Sequence, residues 1–359
     1  MRNRGGACRC SAIWGKTAPL NFSRYPDWCA KSCSALFLVL FWQCVDDLIN
    51  MERASTVDSA RDAWLLFAGL CGWDILLSKS PPPNQFFRAL GVFVDLRPLP
   101  TESAMIVVCE RRIEAIQSML ASIIAAARLP SGLSSSLVGR LMFACVAFSG
   151  FFGKSMLRAF RRRSYESRVN MNPQIRASLD WWIRQLRCAP PRPVPWMVSN
   201  RRTVITYSDG EGSGHVGVAI WSSELSRPQA GRVRVPDVVR KIWTSGRRDP
   251  QDDYNDIQEV EGIGPLLALT TWKELITDAL WMHYIDNNGA LSCLVKGGSS
   301  VSSTDVIVGL TWAKIAKINA CPWFDRVDTK SNPVDGLSRG DLSGNWDLVL
   351  FHSTSLELS

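Results

Sequence analysis

Apolar positions recur with two different periods along this chain, and the changes between them divide it. Ala35 to Phe41 (Ala-Leu-Phe-Leu-Val-Leu-Phe) is apolar throughout and gives way at Gln43 and Asp46. That is well short of the ~20 residues a membrane-spanning helix requires, so a buried strand or core segment is expected. Cys44-Val45-Asp46-Asp47-Leu48-Ile49 then reads as apolar segment, paired aspartates, apolar segment: a hairpin with two carboxylates at its tip. Residues 58–70 set Ala60, Trp64, Leu65, Phe67 and Ala68 on an amphipathic helix that Gly69 and Gly72 end. Ser80-Pro81-Pro82-Pro83 is a rigid connector, and Phe86 to Leu96 reads as strand, glycine, strand. From 105 the period turns helical, with Ile113, Ile116, Leu120, Ile123, Ile124 and Ala127 in step. A second helix is expected over 134–160. A third opens at Asn172-Pro173, a cap followed by proline at the first helical position, and aligns Ile175, Leu179, Trp182, Ile183 and Leu186.

Pro190, Pro191, Pro193 and Pro195 form a stiff spacer that no helix continues through, the clearest boundary in the chain. Beyond it, strands are predicted at 204–209, 216–221, 231–235, 280–286 and 323–327. Helices are predicted at 263–277, 288–296, 304–318 and 334–339. That order implies an α/β (α+β) domain, a mixed sheet flanked by helices.

Composition narrows the partners. The chain has 359 residues, 46% hydrophobic and 21% charged, which suits two or three globular domains and excludes a disordered polymer. Its formal charge of +8 favours a polyanion, and arginines cluster at 111–112, 161–163, 201–202 and 247–248. Eleven scattered cysteines and no opening secretory signal point to an intracellular compartment, cytoplasm or nucleus. Cys8-x-Cys10 with Cys29-x3-Cys33 has the spacing of no usual zinc module.

The candidate chemistry is acidic. Asp209 ends the β-branched run Val204-Ile205-Thr206-Tyr207-Ser208 and precedes Gly210. Glu261 stands just before Leu266-Leu267-Ala268-Leu269, Asp286 ends the run from Leu280 to Ile285, and Asp335 opens a short helix after Asn332-Pro333. Four carboxylates drawn from several elements suit two hard divalent cations, Mg²⁺ or Mn²⁺, held ~3.5–4 Å apart for phosphodiester hydrolysis. Packed closely without cations, they would repel one another. His283 and His215 flank these segments as packed or surface residues.

The segments Tyr-Ser-Asp209-Gly, Val-Glu261 ahead of Leu-Leu-Ala-Leu, Tyr-Ile-Asp286-Asn-Asn and Ser-Asn-Pro-Val-Asp335-Gly-Leu-Ser-Arg resemble the four active-site segments of a type 1 ribonuclease H, in order, over residues 201–340. Cys44-Val45-Asp46-Asp47 resembles the aromatic-x-Asp-Asp turn of reverse transcriptases. Lys79-Ser-Pro-Pro-Pro and Leu90-Gly91-Val-Phe-Val-Asp resemble the palm segments that follow that turn. Together they resemble the reverse transcriptase–ribonuclease H region of a DIRS-like retrotransposon polyprotein. The resemblance implies an irregular basic N-terminus (1–33), a partial reverse transcriptase palm (34–100), a helical thumb and connection (101–188), a Pro-rich linker (189–200), an RNase H-like domain (201–345) and a tail (346–359). It also implies cleavage of the RNA strand of RNA–DNA hybrids with Asp209, Glu261, Asp286 and Asp335 as metal ligands; no membrane attachment is expected, because the apolar run at 35–43 is too short.

Three departures qualify the resemblance. Polymerases of this kind need a further aspartate on an upstream strand, and only Asp27 precedes Asp46. Asp46, Asp47 and Lys79 are therefore expected to be vestiges of a polymerase site, unless a partner or a larger polyprotein supplies the missing fingers. Gly262, Gly264 and Pro265 interrupt the helix that should carry Glu261, leaving two alternatives: a helix that begins at Pro265, or one kinked there. Glu259 is a nearby competitor. No histidine lies in 322–334 to assist product release. The alternative reading is a degenerate remnant that binds nucleic acid without cutting it. A primer-extension assay is expected to give no templated synthesis; extension by this chain would overturn the vestige reading.

Overall fold

The computed structural model describes residues 18–39, 41–44, 47–73, 75–79, 81–98, 103–149, 151–187, 192–195, 201–245 and 256–351. The chain divides into two compact units, Met1–Val94 and Asp95–Ser359.

In the first unit, helix α1 (Ala18–Phe37) precedes an antiparallel hairpin of β1 (Phe41–Cys44) and β2 (Asp47–Asn50), in which Cys44 pairs with Asp47. Helix α2 (Val57–Leu70) follows. Cys33, Val39 and Ala60 are buried together, with Phe41, Trp64 and Phe67 against them. Two expectations are corrected. Residues 18–33 are helical rather than irregular, because Cys29, Ala30 and Cys33 recur at helical spacing and are buried, despite Pro26 within the helix. The apolar run after Ala35 is not uniformly buried: Val39 is, whereas Leu36, Phe37 and Leu38 are exposed. The strand–glycine–strand reading is realised as neighbouring strands β3 (Phe86–Ala89) and β4 (Val92–Asp95), joined by Leu90-Gly91.

The second unit begins with β5 (Ser103–Val108), a strand where the helical period had been placed from 105; helix α3 (Glu110–Ala126) starts only after it. Helix α3 buries Ile116, Leu120 and Ile123. Then come α4 (Ser131–Ser149), α5 (Arg158–Arg163) and α6 (Pro173–Arg187). Asn172 caps α6, its Oδ1 accepting from the Ile175 N–H at 2.8 Å, and Ile175, Leu179, Trp182 and Leu186 face inward. Within the stretch expected to be a stiff spacer, β6 (Arg192–Pro195) pairs antiparallel with β5, so these four residues form a sheet strand. Its prolines suit a strand at a sheet edge, where a missing N–H costs little.

The large sheet has the order β11-β10-β7-β8-β9-β12. Strands β7 (Thr203–Gly210), β8 (His215–Ser222) and β9 (Gln229–Arg234) form an antiparallel meander. Strand β10 (Leu280–Ile285) runs parallel to β7, β11 (Cys321–Arg326) parallel to β10, and β12 (Asp347–Leu348) parallel to β9. The predicted mixed sheet flanked by helices is therefore present. Alternation along β10 buries Trp281, His283 and Ile285. Of these, Trp281 packs in one core with helices α8 (Ile257–Gly262), α9 (Gly264–Thr271) and α12 (Ser302–Lys317), while α13 (Asp335–Ser338) covers Ala219 and Ala230 on the other face. Helices α10 (Lys273–Ile276) and α11 (Asn288–Lys296) complete the layer. Helix α7 (Asp237–Ser245), α8 and β12 were not predicted. Among the described residues no helix is long and apolar enough to cross a membrane.

The helical segment is mounted on the sheet's helical layer. Phe151 meets Trp312 edge-on with ring centroids 5.0 Å apart, Lys154 Nζ donates to the Lys296 carbonyl, and Arg158 Nη2 donates to the Ser300 carbonyl at 2.8 Å.

Helix α9 lies so close to β7 that a Cβ on Gly264 would overlap the side chain of Ser208. Gly264→Ala is expected to destabilise the chain by about 1–3 kcal/mol, as overpacking does. Urea unfolding measures it, with Gly212→Ala, whose Cβ would meet nothing within 4 Å, as the neutral comparison.

Candidate metal centre

Asp209 reaches the site because a β-branched run makes β7 a strand and the carboxylate falls near its end, opposite Gly217 of β8. Asp286 is the first residue beyond β10. Ile285 lies beside Ser208 in the parallel register, so Asp286 falls level with Asp209. Glu261 arrives from across the sheet on the last turn of α8. Gly210 permits that crossing: a Cβ there would stand 2.9 Å from the Glu261 nitrogen and 3.1 Å from its Cα.

The break after Glu261 has a definite form. Helix α8 ends at Gly262, Ile263 keeps helical angles, and α9 starts at Gly264 with Pro265 in its first turn, where a missing N–H does no harm. The outcome is nearer the kink than a fresh start at Pro265: the path stays helical through Ile263, and Glu261 lies on the short helix before the junction and not on a loop. Glu259 is committed elsewhere: its Oε1 accepts from Ser303 Oγ at 2.5 Å and Thr304 Oγ1 at 3.2 Å, on α12.

Asp209, Glu261 and Asp286 each offer a carboxylate oxygen, all within 4.8 Å of one another. Asp209 and Glu261 are buried and Asp286 is half-buried. Asp335 is not in that group. Arg339 Nη2 donates to its Oδ1 at 2.7 Å, one turn along α13, and holds the carboxylate to the helix. Its negative charge nevertheless acts on both Asp209 and Glu261.

Burial pushes Asp209 up to about 6; the Ser338 hydroxyl, donating to its Oδ2, works against that, and the charges of Asp286 and Asp335 add to it. Glu261 is pushed up to about 9, first by burial and then by Asp286 and Asp209, with the Gly210 N–H opposing. Its Oε2 is buried with no hydrogen-bond partner. A cluster of oxygen donors with one buried acceptor unsatisfied fits a hard divalent cation, whose charge would offset the repulsion.

The remaining candidates fall outside this cluster. His283 is fully buried between Thr206 Oγ1 at 2.7 Å from Nδ1 and Ser208 Oγ at 3.0 Å from Nε2, and burial drives it down to about 3, so it is a neutral packed residue. His215 is half-buried beside Ser213 and Glu211. Asp46 lies outside the described residues, as do Cys8 and Cys10. Of Asp47 and Lys79 only the backbone is described, on β2 and a 3₁₀ turn, Leu77–Lys79. Sequence reasoning quoted Ser338 and Asn332 without giving either a role. Asn332 Nδ2 donates to the Ser208 carbonyl at 3.1 Å, tying the segment before Asp335 to β7. Arg232 Nε in turn donates to the Ser338 carbonyl at 2.9 Å. The spacing of Ser338 three residues after Asp335 on a helix was the available signal.

No protein-family profile and no curated protein sequence matches the chain. Among solved structures it is similar to foamy viral protease-reverse transcriptase. The dRH form in complex with double-stranded DNA aligns at a TM-score of 0.42 and 14% identity, over 86% of this chain and 49% of that one. The same protein with double-stranded DNA gives 0.40 and 13%, over 87% and 59%. With an RNA/DNA hybrid the values are 0.40 and 13%, over 87% and 38%. The chain thus spans less than two thirds of each of those chains.

Both raised acids hold a proton more firmly in the folded chain than in the unfolded one. Between the ordinary carboxylate range and the raised values, the cation-free fold therefore loses stability as pH rises. The Tm of chelator-treated protein is expected to fall from about pH 5 to about pH 9, and Mg²⁺ or Mn²⁺ to restore it most at the upper end. A flat Tm profile with no cation effect would remove the metal-centre reading.

Proposed function

We propose that the chain is a divalent-metal-dependent endonuclease that hydrolyses the RNA strand of RNA–DNA hybrids, from a retrotransposon-derived, DIRS-like reverse transcriptase–ribonuclease H region with an incomplete polymerase site. The observation that carries the reading is the meeting of Asp209, Glu261 and Asp286 within 4.8 Å, with Glu261 Oε2 buried and unpartnered. Asp209, Glu261 and Asp286 are the proposed ligands, and Asp335 completes the set from the rim once its carboxylate exchanges Arg339 for a cation. Two divalent cations, when bound, supply the charge that aligns a water with the phosphodiester and steadies the departing oxygen. The protein's own part is positional. Ser338 orients Asp209, the Gly210 N–H orients Glu261, and neutral His283 keeps β7 and β10 level so that Asp209 and Asp286 face one another. Recognition of the hybrid rests on phosphates and 2′-hydroxyls, so cleavage should be largely independent of sequence.

One observation favours the second reading, a non-catalytic nucleic-acid-binding remnant: Asp335 is paired with Arg339 rather than turned to the other three acids. Hybrid cleavage in Mg²⁺ or Mn²⁺ separates the two. Asp209→Asn is expected to reduce it by more than about 100-fold, and Ser338→Ala by about 10–100-fold, the range for partners of a metal ligand. Binding without cleavage in the parent would establish the remnant.

A further inference from the structure

A second charged site lies away from the carboxylates, where α5 ends and α6 begins. A cavity of about 630 Å³ there is lined by Arg162, Arg163, Glu166, Arg168, Asn172 and Gln174, among others. Arg163 is unusual among them because its side chain is only 2% exposed. Its Nη2 donates to the Asn170 carbonyl at 2.9 Å, and Nε stands 3.5 Å from Glu166 Oε2. Neither Nε nor Nη1 has a hydrogen-bond acceptor. A buried guanidinium with donors unmet is costly unless an anion completes it.

The surrounding groups favour an anion. Arg162 and Arg168 are exposed at the rim, and Arg168 makes no ion pair among the described residues. Glu166 is the one acid in the lining, and it is shared between Arg162 Nε at 3.2 Å and Arg163 Nε. Three arginines against one glutamate leave the cavity positive. The amino end of the 15-residue helix α6 adds its partial positive charge beside Asn172. The loop is also anchored: Leu129 N–H donates to the Val169 carbonyl at 2.7 Å, and Arg128 bridges to Asn170. The cationic groups are thus held by a braced turn.

We infer that this cavity binds a phosphate group, and that in use the phosphate belongs to a nucleic-acid backbone. Arginine recognises phosphate through paired N–H donors, and an incoming phosphate exchanges with Glu166 for Arg162 while giving Arg163 an acceptor. The volume exceeds one phosphate, leaving room for the sugar attached to it. Assigning the phosphate to a strand rests on the function proposed above; the phosphate chemistry does not.

The test uses the full chain carrying Asp209→Asn, so that bound hybrid stays intact. One arm measures affinity for an RNA–DNA duplex against salt; the other measures the thermal shift given by inorganic phosphate. Arg162→Ala and Arg168→Ala, both exposed positions, are compared with Arg53→Ala as a charge-matched control, and Arg163→Lys is the conservative variant at the buried position. Loss of one phosphate contact is expected to lower the salt slope by about 0.9 and affinity by about eightfold at 0.1 M salt. The phosphate-induced shift should disappear with it, while the control keeps both. Loss of the phosphate shift alone would make the cavity a site for free phosphate rather than a strand. If the parent binds no hybrid, the nuclease reading fails, and the phosphate shift still decides the cavity. No change in either arm overturns the proposal.

Discussion

Ser208 ties four separate stretches of chain to one point. Its hydroxyl meets His283 of β10, its carbonyl accepts from Asn332 ahead of α13, and its side chain sets how close Gly264 of α9 can come. Each partner lies within a few residues of one of the acids: Asp286, Asp335 and Glu261. Asp209 is the next residue along β7. The position of every carboxylate therefore depends on packing and hydrogen bonding at one fully buried serine, in an interior where polar groups must be paired.

That arrangement works against its own electrostatics. Like charges are brought together in a largely buried place, and the proton affinities of Asp209 and Glu261 rise in response. The apolar layer of Val204, Val218, Val260, Leu267 and Trp281 supplies the burial that holds them there. A cation that bound only the folded cluster would relieve this repulsion and stabilise the fold.

Much of the sheet was legible in the sequence because its signals are local. Val204 to Asp209 and Leu280 to Ile285 carry apolar, strand-forming runs, and Asn172-Pro173 announces α6 by cap and proline alone. The misses share a cause, since their signals are weak or tertiary. Among the described side chains of helix α1, Pro26, Cys29, Ala30 and Cys33 are buried at helical spacing, and the proline among them misleads. The strand of β6 is visible only through its pairing with β5. At the site, three of the four acids meet as their segments suggested. The pairing of Asp335 with Arg339 was not foreseen, because side-chain direction at a short helix is fixed by contacts and not by spacing. The engagement of Glu259 by Ser303 and Thr304 of α12 is likewise a tertiary contact that spacing does not announce.

The mounting of residues 151–158 on α11 and α12 bears on how this protein can be divided. The prolines at 190–195 look like the natural place to cut. Yet a fragment starting beyond them would lose Phe151 from the face of Trp312 and the cationic side chains that cover the carbonyls of Lys296 and Ser300. An isolated sheet domain would expose the side of Trp312 that Phe151 covers and leave two carbonyls to water. The helical segment therefore belongs to the packing of the sheet domain and is more than a neighbour joined by a spacer.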